Sequence, residues 1–293
     1  MDICRQSTAD NFRKVDFALA SCKYNTKVSV NITQSWEYAM TSRKEMIDMR
    51  YQYKHPRPAL SVDCVVFGLD SKEVLKVLLI RRDKNPFKDQ WALPGGFVNP
   101  EIDQSLEKAA RRELSEETGV QDIYLEQLCT FGDSVRDPRE WIASVAYYAL
   151  VNLSEHEIHA DTDANDASWF SISMLPEPLA FDHKVILDIA ISRLRGKIRY
   201  TPIGFELLPQ KFTLAQLQKL YEIVLGEKLD KRNFLREFQS TDLLIDLNEF
   251  QQAVSHRPAK LYQFNKEKYE NLCRNGGFNF TIKLAGTLSK NVL

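Results

Sequence analysis

Gly95–Val120 reads GGFVNPEIDQSLEKAARRELSEETGV, and its last ten residues decide how the rest of the chain is read. Glu113, Glu116 and Glu117 fall within five positions, between a pair of arginines and a glycine. At about 100° per residue, a helix over 104–118 puts Leu106, Ala110 and Leu114 on one apolar stripe. Glu113 and Glu117 continue that stripe, and Glu116 stands at its edge. Asp103 or Ser105 can cap the helix start, and Gly119 stands where a left-handed stop is wanted. Acids therefore occupy positions that the pattern assigns to the interior. Like charges four residues apart repel by about a few tenths of a kcal/mol on an exposed helix, and burial adds to the cost or forces one group to take a proton. Either these are surface Arg–Glu pairs on a charged helix end, or the carboxylates hold a cation. An all-oxygen site suits Mg²⁺ or Mn²⁺, and Arg112 is placed to orient the acids.

Working outward, LSVDCVVFGLD and VLKVLLIRRD are β-branched, apolar runs split by a polar turn around Asp70–Glu73, the pattern of an antiparallel hairpin. WALPGGFV is a strand entering a Pro-Gly-Gly turn. DIYLEQLCTFGD and WIASVAYYALVNL are strand-like, and HADTDANDASWFSI is an acidic loop leading to a short strand. FDHKVILDIAISRLRGKI is a helix with apolar spacing at Val185, Ile186, Ile189, Ala190 and Leu194, and His183 is structural at its start. The alternation predicts a mixed α/β sandwich. Beyond it, RYTPIGFELLPQKF reads as a linker or domain entry. Thr213 caps a helix stopped by Gly226, and Asp230 caps a second. DLLIDLNEF and AKLYQFN then form two short strands. Helix, turn, helix and hairpin outline a winged helix-turn-helix.

The expected organisation is an N-terminal extension over 1–55, an α/β domain over 56–198 and a winged helix over 199–293. The extension is polar and weakly periodic, with one helix expected around SWEYAMTSRKEMIDMRY. Met46 and Met49 are alternative starts that would open directly on the domain. The 293 residues are 44% hydrophobic and 27% charged, an ordinary globular balance with room for about two domains. With 39 Lys+Arg against 40 Asp+Glu, no global charge marks a polyanionic partner, so a nucleic-acid surface has to be local. The five cysteines follow no ligand or disulfide spacing and read as reduced thiols of a cytoplasmic protein. No apolar run is long enough for a membrane span.

The glutamate segment resembles the Nudix box: Gly, five residues, Glu, seven residues, then Arg-Glu-apolar-x-Glu-Glu-x-Gly-apolar. Arg112, Glu113, Leu114, Glu116, Glu117, Gly119 and Val120 match its second half without exception, after WALPG as in the family. The first half departs: the family's early Glu falls on Gln104, and the loop from Gly96 is two residues longer. The resemblance implies a Nudix α/β/α sandwich with a mixed sheet, an α+β chain once the winged helix is added. It further implies metal-dependent cleavage of a nucleoside diphosphate derivative. Carried over, Arg112, Glu113, Glu116 and Glu117 are catalytic, and Glu113, Glu116, Glu117 and the Gly96 carbonyl hold Mg²⁺ or Mn²⁺. The general base stays open between a box glutamate and the loop acids Asp161, Asp163 and Asp166.

TFGDSVRDPREWIASVAYYALV and LAFDHKVIL are similar to the Nudix branch that handles ADP-ribose, and to Nudix-derived transcription regulators of NAD and sugar metabolism that carry a winged helix. That resemblance spans about residues 52–282. It makes Phe97, Arg136 and Arg139 candidates for binding an ADP-ribose-like substrate, with Trp141 as an alternative ring for stacking. Residues 199–293 hold 14 Lys/Arg and 10 Asp/Glu. Lys231, Arg232, Asn233 and Arg236 lie on the first turns of the second helix, where a recognition helix meets base edges. Arg257 and Lys260, beside His256, lie in the wing. Double-stranded DNA bound by a homodimer is the expected partner. Two functions follow: a hydrolase of ADP-ribose or a related nucleotide with an appended DNA-binding winged helix, or a regulator that senses such a ligand without turnover. The complete Arg-Glu-x-x-Glu-Glu core favours the hydrolase.

Overall fold

In strand β1 (Ala59–Leu69) successive side chains enter opposite cores, as the two-residue period of a strand requires. Val65 and Phe67 join one cluster, and Val62, Cys64 and Val66 join the other. A strand buried on both faces reads as a continuous apolar run, which is what SVDCVVFGL shows apart from Asp63. The computed structural model describes residues 54–121, 123–153, 167–252, 257–275 and 280–282. The expected N-terminal helix, the loop acids Asp161, Asp163 and Asp166, and His256 lie outside the described residues.

The strands β2 (Leu75–Arg81), β3 (Trp91–Ala92), β4 (Gly95–Phe97), β5 (Tyr124–Phe131), β6 (Ile142–Asn152) and β7 (Ala167–Ser171) complete the sheet. Its main path is β3-β2-β1-β6-β5, with β4 also paired to β1 and β7 to β2. The predicted hairpin is present, with Phe67 opposite Val77. The long pairing of β1 with β6 is parallel, from Ala59–Ile142 to Leu69–Asn152, so the sheet is mixed as expected.

Helix α1 (Leu106–Thr118) covers one face. Of the two expected caps, Ser105 makes the bond, accepting from the Lys108 amide, and Gly119 closes the helix at φ 72°. Helix α2 (His183–Lys197) covers the other face through His183, Ile186, Leu187, Ala190 and Leu194. The expected stripe is off by part of a turn here, because Val185 is 53% and Ile189 38% exposed while Leu187 is buried.

The segment expected as a linker is core. A 3₁₀ turn, Ile203–Leu207, buries Ile203, Phe205 and Leu207, and Leu208 and Phe212 follow them inside. Helix α3 (Leu214–Leu225) starts in a capping box of Thr213 and Gln216 and ends at Gly226, φ 72°. Helix α4 (Lys231–Thr241) is capped by Asp230. Strands β8 (Leu244–Phe250) and β9 (Lys260–Phe264) form the wing, and Phe212 adds a third antiparallel bridge through Tyr262. A further helix, α5 (Lys266–Arg274), follows the wing.

An aromatic cluster fills this half. Phe238 meets Tyr221, Phe234 and Phe280 at 5.1, 4.8 and 4.9 Å, and Phe205 stacks on Phe264 at 4.1 Å. The same apolar cluster runs unbroken from β1 and β6 through α2 into Phe205, Tyr221 and Phe238. Arg195 Nε of α2 also donates to the Val224 carbonyl of α3, at 3.1 Å. The described part of Arg57–Leu293 therefore forms one compact unit. Cys64, Cys129 and Cys273 are free thiols. Among the described residues no helix is long and apolar enough to cross a membrane.

Candidate ligand site and DNA-facing helix

The glutamates meet the sheet at Gly95 and Gly96. A Cβ on Gly96 would lie 2.5 Å from the Glu113 carboxylate, and one on Gly95 would lie 2.2 Å from the Val62 carbonyl. Glycine at both positions lets α1 lay its acids against β4. Glu117 Oε2 accepts from the Gly95 amide at 2.7 Å. Burial, followed by the charges of Glu113 and Asp63, pushes the Glu117 carboxyl up to about 8 despite that hydrogen bond. Burial also raises Glu113, against the pull of Arg112. The phase argument thus places Glu113 and Glu117 inward, while the Glu116 side chain is 60% exposed.

Arg112 gathers this region. It forks onto Asp103 at 2.9 and 2.7 Å and bonds Glu113 at 2.8 Å and Glu116 at 3.1 Å. It also reaches the Phe97 carbonyl at 3.3 Å. Asp103, in the extended loop, is its principal partner, and the Arg112 hydrogen bond holds that carboxyl below its ordinary range. Gln104, at the family's early Glu position, turns to solvent and accepts from Lys108 at 2.6 Å. Glu101 is exposed in the same loop.

Carboxylate chemistry suits a hard cation, but this arrangement does not fit one. Arg112 already bridges Glu113 and Glu116, and Glu117 spends one oxygen on Gly95. Among the described residues no three His, Cys, Asp or Glu side chains converge closely enough to hold a metal ion. The expected ligand set is therefore adjacent in sequence without being assembled in space.

Arg136, expected at the ligand's phosphates, is instead a buried clamp. Its side chain is 4% exposed. It forks onto Asp182 at 2.9 and 2.6 Å and reaches Asp63 at 3.2 Å. Asp63 also accepts from the Ser144 hydroxyl at 2.6 Å and lies 3.6 Å from His183 Nε2. His183 Nδ1 accepts from the Leu93 amide at 2.8 Å, so it is structural at the start of α2.

Burial also pushes the His183 pKa below its ordinary value, against the charges of Asp63 and Asp182 and with those of Arg136 and Arg82. The unfolded chain takes up a proton near pH 6.5 that folded His183 resists. The stability from neutral His183 is therefore complete above about pH 6.5 and is lost as pH falls below it, by at most about 1.4 kcal/mol per unit. Urea midpoints should fall between pH 6.5 and 5.5, and less so in His183→Gln. An equal fall in both proteins would assign the effect to other groups.

Arg139 is 40% exposed and forks onto buried Asp137 at 2.9 and 2.6 Å. Its guanidinium lies 5.2 Å from the Phe97 ring and 5.6 Å from the Phe181 ring. Phe97 is 43% exposed beside the glutamates. Trp141 is also exposed, with its indole N–H donating to Gly132 at 3.1 Å. The structure thus keeps Phe97 and Arg139 together at an open surface and removes Arg136 from it. It adds Phe181 and Arg82, 4.7 Å from the Phe181 ring, which sequence reading left out. In FDHK the histidine is buried, and the phenylalanine before the acid is the half-buried ring that meets the two arginines.

In the winged helix, Lys231, Arg232, Asn233 and Arg236 line the exposed start of α4, while Phe234 and Phe238 face inward. Arg236 bonds the Asn233 side chain at 3.0 Å. In the wing, Arg257 is exposed and Lys260 is paired with Asp246 at 2.5 Å.

Known proteins divide the chain in the same way. Residues 57–188 match the Nudix domain and residues 204–264 match the NrtR DNA-binding winged helix domain. The ADPR-responsive transcriptional repressor of Acinetobacter baylyi is 37% identical over 244 residues, covering 83% of this chain and 94% of that protein. The chain belongs to the NrtR family. Shewanella oneidensis NrtR, solved in complex with a 27mer DNA, superposes on this NrtR-family chain with a TM-score of 0.67. It is 35% identical, over 76% of this chain and 99% of that one. The ADP-ribose pyrophosphatase of Methanocaldococcus jannaschii is 37% identical over 140 residues, 48% of this chain and 77% of its own length.

Proposed function

We propose that this protein is an ADP-ribose-responsive transcriptional repressor: the Nudix domain binds the nucleotide, the winged helix binds double-stranded DNA, and occupancy of the first weakens the second. The observation that carries this reading is the single apolar core running from the sheet through α2 into the winged helix. A ligand that resets the sheet-side end of such a core changes the energy of the other end. Coupling requires that physical continuity, together with a difference in ligand affinity between the two states. The start of α4 supplies the DNA contacts through Lys231, Arg232, Asn233 and Arg236, with Arg257 and Lys260 of the wing at phosphates. Two copies reading paired half-sites give useful affinity. The Acinetobacter relative and the DNA-bound Shewanella protein support the reading.

Hydrolysis is the second reading. It is favoured by the unbroken Arg112-Glu113-x-x-Glu116-Glu117 core and by the pyrophosphatase relative. In that reading Glu113, Glu116, Glu117 and the Gly96 carbonyl would have to hold Mg²⁺ or Mn²⁺. Arg112 standing between two of those acids weighs against it.

One experiment separates the two. DNA retention on a gel is followed while ADP-ribose is added, and AMP release is followed in parallel with Mg²⁺ or Mn²⁺. The expected result is DNA release at ligand concentrations that produce no AMP. AMP release abolished by Glu117→Gln would make the protein an enzyme, and DNA binding indifferent to ADP-ribose over a full titration would overturn the repressor reading.

A further inference from the structure

We propose that Arg82, with Arg139, forms the anion clamp of the Nudix domain and takes the pyrophosphate of the bound nucleotide; this rests on the ADP-ribose reading above. Arg82 follows the last residue of β2, and Phe181 precedes the first turn of α2. Both guanidinium groups lie against the same ring, Arg82 at 4.7 Å and Arg139 at 5.6 Å from the Phe181 centroid. Arg139 also lies 5.2 Å from Phe97, so cations and rings alternate from Arg82 to the open side of β4.

The two arginines differ in their partners. Arg139 is neutralised by Asp137. Arg82 bonds only main-chain carbonyls, Pro86 at 3.0 Å and Lys84 at 3.5 Å, and no carboxylate among the described residues lies within ion-pair distance of it. Burial and the neighbouring Arg139 charge both push the Arg82 pKa below its ordinary value. A half-buried cation beside a second cation is unfavourable until an anion arrives, and a planar guanidinium is suited to phosphate oxygens.

The ring against which both arginines lie is held in a demanding geometry. Phe181 and Phe87 have left-handed φ values of 52° and 62°, and their rings meet edge to face at 4.8 Å. The Pro86 bond fixes the Arg82 Nε edge and leaves Nη1 for a ligand. The Arg82 charge also acts on the Glu117 carboxyl, opposing its upward shift. Arg136, spent on Asp182 and Asp63, cannot serve in this role.

The test is calorimetric titration of the full-length protein, wild type, Arg82→Gln and Arg82→Lys, with ADP-ribose, inorganic pyrophosphate and adenosine. Arg82→Gln is expected to weaken ADP-ribose and pyrophosphate at least tenfold and to leave adenosine unchanged. Arg82→Lys, which keeps the charge without the fork, is expected to fall between. A residue that only shapes the 82–90 loop would move adenosine as well. Equal ADP-ribose affinity in wild type and Arg82→Gln overturns the clamp, as does a parallel loss for all three ligands. Should Arg82→Gln not fold, the lysine variant decides by the same ligand comparison. A wild type that binds no ADP-ribose overturns the ligand reading itself and is seen before any variant is made.

Discussion

Arg136→Met is expected to destabilise the protein by about 3–5 kcal/mol, the cost of removing one partner from a buried ion cluster. The side chain is 4% exposed and satisfies two carboxylates, Asp182 through a fork and Asp63 through a single bond. Without it both acids remain half-buried or deeper, with only Ser144 and neutral His183 to share Asp63. Methionine fills the volume but carries no donor. Arg136→Lys should recover part of the loss and not all, since one ammonium cannot fork onto Asp182 while reaching Asp63. A fall in Tm of about 10 °C or more is the scale to look for in a chain of this size. Arg139→Met should cost less than Arg136→Met, because Arg139 is 40% exposed to water and pairs with one carboxylate; the loss comes from Asp137, which is buried and keeps only the Arg139 amide as a donor among the described residues. Should Arg136→Met melt like wild type and lose ADP-ribose affinity, Arg136 faces the ligand and the clamp assignment above is wrong.

That pair of arginines marks the boundary of what the sequence makes legible. Arg136 and Arg139 sit three residues apart in one polar loop, and nothing local distinguishes them. Arg139 pairs with the nearby Asp137, whereas the role of Arg136 is set by partners far along the chain: Asp63, 73 residues before it, and Asp182, 46 residues after it. Features decided within a few residues were readable. Ser105, Thr213 and Asp230 cap their helices, and Gly119 and Gly226 end theirs in left-handed geometry. The inward phase of Glu113 and Glu117 follows from the apolar positions of one helix. Features decided by packing were not readable. The Tyr-Thr-Pro-Ile-Gly-Phe stretch looks like a linker because its apolar residues have no period. Its Pro202–Phe205 part is buried because two modules close on it from opposite sides, while Tyr200 stays exposed. The stripe of α2 was shifted for a similar reason: Val185, Ile186 and Leu187 are all apolar, and only the sheet selects among them. The arrangement of the box glutamates lies at the same boundary. Three glutamates fit the pattern, yet where Arg112 places its guanidinium depends on Asp103 in a loop two residues longer than the family's.

The triple variant Lys231→Ala, Arg232→Ala, Arg236→Ala is expected to lower DNA affinity by more than a hundredfold, at about 1–3 kcal/mol for each base-reading contact and less for each phosphate contact. None of the three is held by an ion pair among the described residues, so each reaches DNA without first giving up a counter-charge; Arg236 exchanges only its hydrogen bond to Asn233. Their loss should not unfold the helix. The capping bond that the Asn233 amide donates to Asp230 does not involve them, and Phe234 and Phe238 carry the packing. Lys260 is the contrast. Asp246 neutralises it in the free protein, so Lys260→Ala removes a cation and frees an acid at once, and phosphate contact there requires exchange of one counter-ion for another. Its effect on affinity should therefore be smaller per charge than that of the α4 residues. The salt dependence tells the two kinds of contact apart. Each lost phosphate contact reduces the slope of log K against log salt by about 0.9, whereas a lost base contact lowers affinity with little change in slope. Measured from low to moderate salt, the triple variant should lose affinity at every concentration and flatten by about one to three contacts. ADP-ribose affinity should stay at the wild-type value, because the ligand site lies on the other module. Undiminished DNA binding in the triple variant would remove α4 from the DNA interface and leave the winged helix as a surface for another protein chain.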